Sequence, residues 1–403
     1  MFVPFKGAQL NISRIGILTG GGDCAGLHAV MAGLARRIHQ RNESLIQSEK
    51  ITLIGLPNGW ASLVREITDE RMSQGYRELD LVRLEQLFDE PGTCIGTSRT
   101  NIFSEKNVEN GLPDEAIKNI RKLQLDCLCA LGGDDTLGAA HKLSQMIDIP
   151  MLGAPKTMDN DLFGTEKTFG FESAYAEAAR IIRNIKKTAE SHKRIFVIEV
   201  MGRHAGWVAL YAGVAAGAGV TLLPEEECDL EALAKQSEKM MEKWGYGTIV
   251  VSEGACITSH SYSENLNMKN RTILAQVISD PKNAVIKARL EKPDKVDSFG
   301  HPVLSGVGEI ILAALEYLTK HEFRYQNCGH AIRSVQCPQD TVLGLRFGDA
   351  LFNYIESGTF GVFPALRSDK IIPVPLSEAR GGRFVTPEKH ADLIRIKNLI
   401  DFY

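Results

Sequence analysis

The sequence predicts an α/β protein built from two Rossmann-like domains, each with a mainly parallel sheet covered by helices. Apolar runs typical of buried strands alternate with segments of helical periodicity, an order that favours parallel sheets. The chain has 403 residues, which is long for one hydrophobic core and suits two domains. Its 37 glycines fall in loops after strands, where backbone could hold phosphate groups.

The chain is expected to cross back near residue 335, so that both domains are discontinuous. The first domain is predicted at residues 1–165 and about 336–385, and the second at 166–335 and about 386–403. In open α/β sheets, ligands bind at the carboxyl ends of the strands. We therefore expect the active site in the cleft between the domains.

Individual elements follow from the apolar pattern. Strands are predicted at Ile15–Thr19, Asp126–Leu131, Ile195–Val200 and Thr248–Val251. Helices are predicted at Leu27–Ile38, Thr136–Met146, His204 to about Ala216, and Gly308–His321. Arg36 and Arg37 would lie in the last turn of the first helix, where the helix dipole favours positive charge. The polar stretch 258–300 has weak periodicity and is predicted as loops and short helices.

Composition excludes several classes of protein. A content of 44% hydrophobic and 24% charged residues is ordinary for a soluble globular chain, and the net charge of −4 gives no support for nucleic-acid binding. No apolar run reaches membrane-spanning length, and the amino terminus has no signal-peptide pattern. The eight cysteines are scattered. Cys127 and Cys129 share one strand face and cannot easily form a disulfide, so we expect reduced thiols and a cytoplasmic protein.

Two acidic loops carry the chemical signal. Residues 132–136 read Gly-Gly-Asp-Asp-Thr, and residues 155–161 read Pro-Lys-Thr-Met-Asp-Asn-Asp; each follows an apolar strand-like run. Carboxylates suit Mg²⁺, lysine suits phosphoryl oxygens, and an aspartate can accept the proton of an incoming hydroxyl. Asp159 and Asp161 alternate, so on an extended segment they would face the same way. The alternatives are an N-cap at Asp134 or Asp135 and an Asx-rich turn.

Two further loops are rich in glycine. Residues 20–26 read Gly-Gly-Gly-Asp-Cys-Ala-Gly between a predicted strand and helix, where backbone N–H groups favour an anion. Residues 92–99 read Gly-Thr-Cys-Ile-Gly-Thr-Ser-Arg and end in an arginine suited to phosphate. Neither matches a dinucleotide fingerprint or a Walker A sequence. A tight turn and a solvated loop remain the alternatives.

Several cationic side chains lie further along the chain: Arg194, Arg203, Arg324, His330 and Arg333. Each of them alone could be a surface charge. Glu253 follows a predicted strand, at the position where open sheets place ligand groups.

Taken together, these segments resemble the phosphofructokinase family. The likeness runs from about residue 15 to 346, and the motifs keep the family order. They are GGGDCAGLHA (20–29), GTCIGTSR (92–99), LGGDDT (131–136), PKTMDND (155–161), TFGFESA (168–174), RIFVIEVMGRHAGW (194–207), SEG (252–254) and RYQNCGHAIR (324–333). NAD kinases and diacylglycerol kinases share a GGD-type loop but lack PKTMDND and EVMGR.

The resemblance implies a phosphofructokinase fold and a role for each matching residue. Asp159 would be the base that takes the proton from the sugar's 1-hydroxyl, and Asp134 would hold Mg²⁺. Gly22 and Arg99 would contact the phosphoryl donor. The residues implied for the sugar phosphate are Thr157, Asp161, Met201, Gly202, Arg203, Glu253, His330 and Arg333. Arg203 would also stabilise the transferring group. Arg194 and Arg324 match arginines that family members lend to a neighbouring subunit, which implies a homodimer or homotetramer with shared active sites.

Two residues, Asp135 and Lys156, indicate which phosphoryl donor the chain would use. Family members that use ATP usually have glycine at the position of Asp135, which leaves space for the nucleotide's α-phosphate; an aspartate fills that space with bulk and negative charge. Lys156 could pair with a small, highly charged donor, although some ATP users also carry this lysine. The pair implies reversible transfer from pyrophosphate to fructose 6-phosphate, with Asp135 and Lys156 at the donor and Lys156 also in catalysis.

Three alternatives stay open beside this reading. One is an ATP-dependent 6-phosphofructokinase. Another, from a different class, is a non-catalytic regulatory subunit that binds sugar phosphates, although Asp134, Asp159, Asp161 and Arg203 are all present. The third concerns the acceptor: Arg333 is followed by Ser334 where the family typically has a glycine pair. Sedoheptulose 7-phosphate is therefore a second candidate acceptor.

Overall fold

The computed structural model describes residues 12–65, 67, 75–255, 268–291 and 306–402. Backbone contacts divide the chain into two compact units. The first unit comprises residues 1–173 and 333–382, and the second comprises residues 174–332 and 383–403. Both are discontinuous in sequence.

Eleven strands and thirteen helices are present in the described ranges. The strands are β1 (Arg14–Thr19), β2 (Thr52–Leu56), β3 (Arg77–Glu78), β4 (Cys127–Gly132), β5 (Met151–Pro155), β6 (Ile195–Val200), β7 (Val220–Leu222), β8 (Gly247–Ser252), β9 (Phe323–Asn327), β10 (Val362–Arg367) and β11 (Lys370–Pro375). The helices are α1 (Leu27–Glu43), α2 (Leu81–Leu87), α3 (Glu105–Glu109), α4 (Leu112–Lys122), α5 (Asp134–Ser144), α6 (Phe171–His192), α7 (Trp207–Ala216), α8 (Leu230–Trp244), α9 (Met268–Ser279), α10 (Ala284–Glu291), α11 (Val307–Leu318), α12 (Pro338–Ser357) and α13 (Pro387–Ile396).

The first unit is built on a seven-stranded sheet with the order β11-β10-β5-β4-β1-β2-β3. The five central strands are parallel, and the two edge strands are antiparallel to their neighbours. Because β1, β4 and β5 are adjacent and parallel, their carboxyl ends lie at one edge of the sheet. The loops that follow these three strands are therefore brought together.

Both faces of this sheet are buried, and the alternation of side chains along β1 shows it. Ile15 and Ile17 point into one apolar cluster with Leu34 of α1 and Phe347 of α12. Leu18 points into the other cluster, which includes side chains of α4 and α5. Covered parallel strands have apolar residues at successive positions for this reason.

The second unit contains a four-stranded parallel sheet with the order β7-β8-β6-β9. Its apolar core combines β6, β7 and β8 with α8, α9 and α11. The carboxyl ends of β6, β8 and β9 lie at one edge, as those of β1, β4 and β5 do in the first unit. The prediction of an α/β chain with mainly parallel sheets is confirmed.

Some helices begin or end at residues other than the predicted ones, because capping residues and turns decide where a helix starts and stops. The strand at Ile195–Val200 has the predicted bounds. Helix α1 continues to Glu43, so the prediction that Arg36 and Arg37 end this helix was wrong. Arg36 instead bonds Glu85 (Nη2–Oε2 2.7 Å), and Arg37 bonds Asp349 (Nη1–Oδ1 2.6 Å).

Two predicted helices begin at other residues. Helix α5 begins at Asp134 and helix α7 at Trp207. Within the predicted 258–300 stretch, two helices are described, Met268–Ser279 and Ala284–Glu291. A short 3₁₀ turn at Pro281–Asn283 lies between them, and residues 258–267 and 292–300 of the stretch lie outside the described residues.

Candidate active site

The glycine-rich and acidic loops of the first unit are joined through backbone hydrogen bonds. Gly20 N–H donates to Leu131 O at 2.9 Å, which ties the loop after β1 to the end of β4. Lys156 N–H donates to Gly132 O at 2.9 Å, which ties the end of β4 to the loop after β5. The structure therefore gathers three of the predicted donor-side segments at one edge of the sheet.

The loop at residues 92–99 joins this group. Gly21 N–H donates to Ser98 O at 2.9 Å, and the Thr97 hydroxyl donates to Gly21 O at 2.8 Å. The Thr19 hydroxyl donates to Gly96 O at 2.7 Å. Arg99, half-buried at the end of the loop, is thereby placed on the segment that pairs with the first glycine loop.

Two glycines of these loops are required by packing against Thr136. A Cβ atom on Gly20 would lie 2.4 Å from Thr136 Oγ1, and one on Gly132 would lie 2.3 Å from Thr136 Cβ. Thr136 is buried between the ends of β1 and β4. Sequence reasoning did not select this residue, because a threonine in the first turn of a helix is unremarkable on its own.

Asp134 and Asp135 occupy the first turn of α5. The N-cap position is held by Gly133, and no side chain caps the helix; the N-cap alternative was therefore wrong. Asp134 Oδ1 accepts the N–H of Asp135 at 2.9 Å. Asp134 is exposed and Asp135 is half-buried. Negative charge is favourable at a helix amino terminus, and the exposed carboxylate of Asp134 is available to a cation.

Lys156 is buried, with 5% of its surface exposed. Its ammonium donates to Gly22 O at 2.6 Å, so its charge is directed at the first glycine loop. Burial lowers the pKa of Lys156, and the positive charge of Arg333 lowers it further, while Asp159 and Asp23 act in the opposite direction. A bound anion would relieve this desolvation cost, as expected at a site for a highly charged ligand.

Residues 157–161 form a turn. Asn160 adopts a left-handed conformation with φ 51°, and Asp159 N–H donates to Thr157 Oγ1 at 3.1 Å. Asn160 Oδ1 accepts the N–H of Thr168 at 3.1 Å, which holds the turn. Asp159 and Asp161 therefore do not lie on an extended segment, the case in which they would face the same way, because asparagine tolerates the left-handed region and its amide fixes the reversal.

The carboxylates of this turn nevertheless influence one another. Burial, with the negative charges of Asp159 and Asp134, raises the pKa of Asp161 to about 7. Such a shift is expected when acidic groups share a partly desolvated place. Asp134, Asp159 and Asp161 therefore form an acidic group in which one member takes up a proton near neutral pH, and which would attract a cation.

In the second unit, the loops after β6 and β8 are joined. Gly202 N–H donates to Glu253 Oε1 at 3.3 Å, and the Ser252 hydroxyl donates to Gly202 O at 2.7 Å. A Cβ atom on Gly254 would lie 1.6 Å from Arg203 O, so only glycine fits there. Met201, which directly precedes Gly202, lies on the same joined loops as Arg203 and Glu253.

His330 follows β9, the neighbour of β6. It is exposed, on a short 3₁₀ turn at Gly329–Arg333. Asn327 holds the start of this turn: its Oδ1 accepts Gly329 N–H at 2.6 Å, and its Nδ2 donates to Glu199 Oε1 at 3.1 Å. The carboxyl ends of β6 and β9 meet at one edge, so His330 lies at the edge that carries Gly202.

Glu199 was missed from the sequence. It lies on β6, is 1% exposed, and accepts the N–H groups of Gly306 and Gly308 at 3.1 and 2.8 Å. It therefore fastens the start of α11 to the strand that ends before Met201. The available signal was one acid inside an otherwise apolar strand, Ile-Phe-Val-Ile-Glu-Val, since a buried carboxylate needs several donors.

Arg194 and Arg324 lie at the other end of this sheet. Arg194 precedes β6, Phe196 pairs with Arg324, and both guanidinium groups contact the carboxylate of Glu322. The six residues of β6 span about 20 Å, which separates these arginines from Gly202 and His330. They cannot join those residues at the same edge within one chain.

Arg333 belongs by its contacts to the first unit. Its Nη1 donates to Asp23 O at 2.7 Å, and a Cβ atom on Gly22 would lie 2.7 Å from Nη1. The structure thus brings Arg333 to Gly22 and Lys156, the residues expected to hold the donor. No residue pattern in the sequence indicated this contact.

Three findings bear on the excluded classes. Within the ranges that the structure covers, no helix is both long enough and apolar enough to cross a membrane. The seven cysteines found there are free thiols. The same residues include no group of three or more histidine, cysteine, aspartate or glutamate side chains arranged to hold a metal ion.

Comparison with known sequences agrees with these motifs. The family model described as phosphofructokinase matches residues 14–355. The pyrophosphate--fructose 6-phosphate 1-phosphotransferase of Dictyoglomus thermophilum is 33% identical over 371 residues, which cover 91% of this chain and 93% of that protein. The ATP-dependent 6-phosphofructokinase of Corynebacterium efficiens is 34% identical over 372 residues, which cover 91% of this chain and 94% of that protein.

Comparison with solved structures supports the fold. The crystal structure of a pyrophosphate-dependent phosphofructokinase from Marinobacter aquaeolei matches with a TM-score of 0.71 at 19% identity, over 96% of this chain and 91% of that one. At this identity the match concerns the fold alone. The family model matches most of the chain, and the two relatives are more than 30% identical to it over most of its length. This chain therefore belongs to the phosphofructokinase family.

Proposed function

We propose that this enzyme transfers a phosphoryl group from pyrophosphate to O1 of fructose 6-phosphate, reversibly and with Mg²⁺, giving fructose 1,6-bisphosphate and phosphate. The choice of pyrophosphate over ATP as donor rests on one observation, the pair Asp135 and Lys156. Lys156 is buried and directs its ammonium at Gly22 O, where it would neutralise a compact anion. Asp135 stands half-buried in the first turn of α5 and would exclude a nucleotide's α-phosphate.

Overall sequence identity does not decide the donor. Relatives named for pyrophosphate and for ATP match at 33% and 34% identity over similar lengths. The donor therefore rests on the two side chains at positions 135 and 156. Transfer from pyrophosphate to a sugar alcohol is nearly balanced in free energy, which would make the reaction reversible.

Asp159 is proposed as the base that accepts the proton of the sugar's 1-hydroxyl. Its negative charge helps to raise the pKa of Asp161 to about 7, which supports a division of roles in which Asp161 positions the acceptor. Thr157 is proposed to contact the acceptor beside Asp161; its hydroxyl accepts Asp159 N–H and hydrogen-bonds the carboxylate of Asp161, which orients the turn. Lys156 and Arg203 would neutralise charge on the transferring group, the main means of catalysing phosphoryl transfer.

Mg²⁺ fits the residues present. The ion is usually held by one or two carboxylates, with substrate phosphates and waters completing the shell. Asp134 offers an exposed carboxylate beside the acidic turn, and its charge acts on Asp161. We propose Asp134 as the protein ligand. When bound, the ion would neutralise phosphate oxygens and orient the donor.

The sugar phosphate is proposed to bind the joined loops of the second unit. Gly202, Arg203 and Glu253 lie together there, with Met201 beside them, and His330 is exposed at the same sheet edge. A cationic side chain, a histidine and backbone N–H groups suit a phosphate ester, while the carboxylate of Glu253 suits a sugar hydroxyl.

The first test compares pyrophosphate with ATP as donor. The purified chain, fructose 6-phosphate and Mg²⁺ are expected to give fructose 1,6-bisphosphate with pyrophosphate and little with ATP, because Asp135 excludes the α-phosphate. The product is measured by a coupled assay, and the reverse reaction is followed as pyrophosphate formed from fructose 1,6-bisphosphate and phosphate.

Turnover with ATP alone would contradict the assignment of the donor while leaving the family unchanged. Sugar-phosphate binding without turnover from either donor would favour a regulatory subunit. Sedoheptulose 7-phosphate is included as acceptor, since the segment after Arg333 departs from the family pattern.

We further propose a homo-oligomer with shared active sites and, from the free thiols, a location in the reducing cytoplasm. The position of Arg194 and Arg324 at the opposite sheet edge, about 20 Å from Gly202, supports the sharing. Their guanidinium groups would complete a site on a neighbouring copy.

A test of sharing mixes two inactive variants. Asp159→Asn and Arg324→Met are each expected to be nearly inactive at low fructose 6-phosphate. After dissociation and reassociation together, about a quarter of the sites of a randomly paired dimer would have both normal residues, and activity would return to that level. Activity that stays at the sum of the two separate variants would exclude sharing. Asp159→Asn mixed with Lys156→Met is the control, because residues of one chain's site cannot complement each other.

A further inference from the structure

The segment at residues 376–382, which follows β11, lies against the amino terminus of α5. A Cβ atom on Gly381 would lie 2.9 Å from Oδ2 of Asp134 and 3.8 Å from its Cγ. Both residues belong to the first unit. The backbone of Gly381 therefore borders the carboxylate that is proposed to hold Mg²⁺.

This segment is anchored on both sides of the contact. Leu376 and Ala379 are buried in the apolar cluster that also contains side chains of α5. Arg380 O accepts the N–H of Phe163 at 2.8 Å, and the guanidinium of Arg380 lies over the Phe163 ring, 5.0 Å from its centroid. Phe163 follows the acidic turn by two residues. The backbone at position 381 is therefore fixed relative to both α5 and the acidic turn.

The carboxylate of Asp134 is held from two directions. Its Oδ1 accepts the N–H of Asp135 at 2.9 Å, and its Oδ2 faces Gly381. A carbon atom 2.9 Å from Oδ2 would be closer than the roughly 3.5 Å of an ordinary contact. Since the segment is anchored, a side chain at position 381 would displace the carboxylate rather than the backbone.

The backbone itself does not require glycine at position 381. Gly382 has a left-handed φ of 106°, whereas Gly381 does not have a positive φ. Alanine or valine could therefore adopt the conformation of Gly381, and the carboxylate of Asp134 is what they would meet. Mg²⁺ requires near-ideal octahedral geometry, so a small displacement of a protein ligand lowers its affinity.

We propose that Gly381 is a positioning residue of the metal site: its missing side chain leaves the space in which the carboxylate of Asp134 reaches the Mg²⁺ of the phosphoryl donor. The proposal rests on the proposed role of Asp134 as the metal ligand. It adds to the donor site a segment far from the glycine-rich and acidic loops in sequence, and it assigns that segment to the metal rather than to the phosphate groups.

The test measures pyrophosphate binding to the full chain by titration calorimetry without any sugar phosphate, once with Mg²⁺ and once with EDTA. In Gly381→Val, the gain in affinity that Mg²⁺ provides is expected to fall about 10- to 100-fold, and Gly381→Ala should show a smaller loss. Binding without metal should stay unchanged. In turnover, the KM for Mg²⁺ should rise, while the KM for fructose 6-phosphate changes less than about twofold.

Gly138→Ala is the matched control, because it adds a methyl to α5 at a position where a Cβ atom would meet open space. It should leave the gain from Mg²⁺ unchanged. Thermal unfolding of every variant checks that the fold is retained. Asp134→Asn should remove most of the gain, and adding Gly381→Val to it should have little further effect, since both changes act on the same carboxylate.

The outcomes separate this proposal from the proposed function. A normal gain from Mg²⁺ in Gly381→Val, together with a lost gain in Asp134→Asn, would overturn the role of Gly381 alone. Equal weakening of binding with and without Mg²⁺ would also overturn it, because the side chain would then obstruct the donor directly. An unchanged gain in Asp134→Asn would instead contradict the assignment of Asp134 as the metal ligand.

Discussion

Asp159→Asn is expected to lower kcat about 10³- to 10⁴-fold, with little change in the KM of either substrate. Asparagine keeps the shape and the hydrogen bond of Asp159 N–H to Thr157 Oγ1 but cannot accept the proton of the sugar's 1-hydroxyl. A well-placed general base contributes about this factor. The measurement is steady-state turnover with pyrophosphate, fructose 6-phosphate and Mg²⁺, all saturating.

The same variant reports on the acidic turn without any turnover. The charge of Asp159 is one cause of the raised pKa of Asp161, so its removal should lower that pKa below about 7. Titration of the Asp161 carboxyl by ¹³C NMR checks this and shows that the turn is retained. Near-normal turnover in the variant would contradict the assignment of the base. Unchanged titration of Asp161 would contradict the proximity of the two carboxylates.

Asp135→Gly is expected to change the donor. Two like charges about 4 Å apart near a protein surface repel by several kcal/mol at most, so removing the carboxylate should raise the use of ATP by about tenfold or more. Use of pyrophosphate should fall, because the volume that confines a two-phosphate donor is lost. The measurement is kcat/KM for each donor at saturating fructose 6-phosphate.

Asp135→Asn separates charge from bulk, since it removes the charge and keeps the volume. If repulsion dominates, the asparagine variant will also admit ATP; if bulk dominates, only the glycine variant will. Unchanged donor preference in both variants would show that Asp135 does not select the donor. Thermal unfolding is the control, because glycine in a helix costs about 1 kcal/mol.

The fold could be predicted from the sequence where burial alone decides it. Ile195–Val200 is apolar at five of its six positions, and a covered parallel strand needs that pattern. Helix ends were less accurate. Helix α5 begins at Asp134 because Gly133 takes the N-cap position without a side-chain bond, and nothing in the composition of Gly-Gly-Asp-Asp distinguishes this from a cap by aspartate.

The site could be predicted where chemistry is concentrated in one segment, and less well where separate segments meet. The acidic turn was identified from its residue types, but the left-handed Asn160 that bends it leaves no periodic signal. From the sequence, Arg333 could be identified only as a positively charged side chain. Its position beside the first glycine loop depends on Gln336, whose side chain bonds Gly26, 310 positions earlier in the chain. The location of the active site in the cleft between the domains stays a prediction.

The contact of Thr136 with Gly20 and Gly132 has a consequence for how such sequences can vary. The ends of two neighbouring strands leave room for one side chain, and Thr136 fills it. A larger residue at position 20 or 132 is therefore compatible only with a smaller one at position 136. Among related chains these three positions are expected to change together, because the volume of the side chains at two of them limits the side chain that fits at the third.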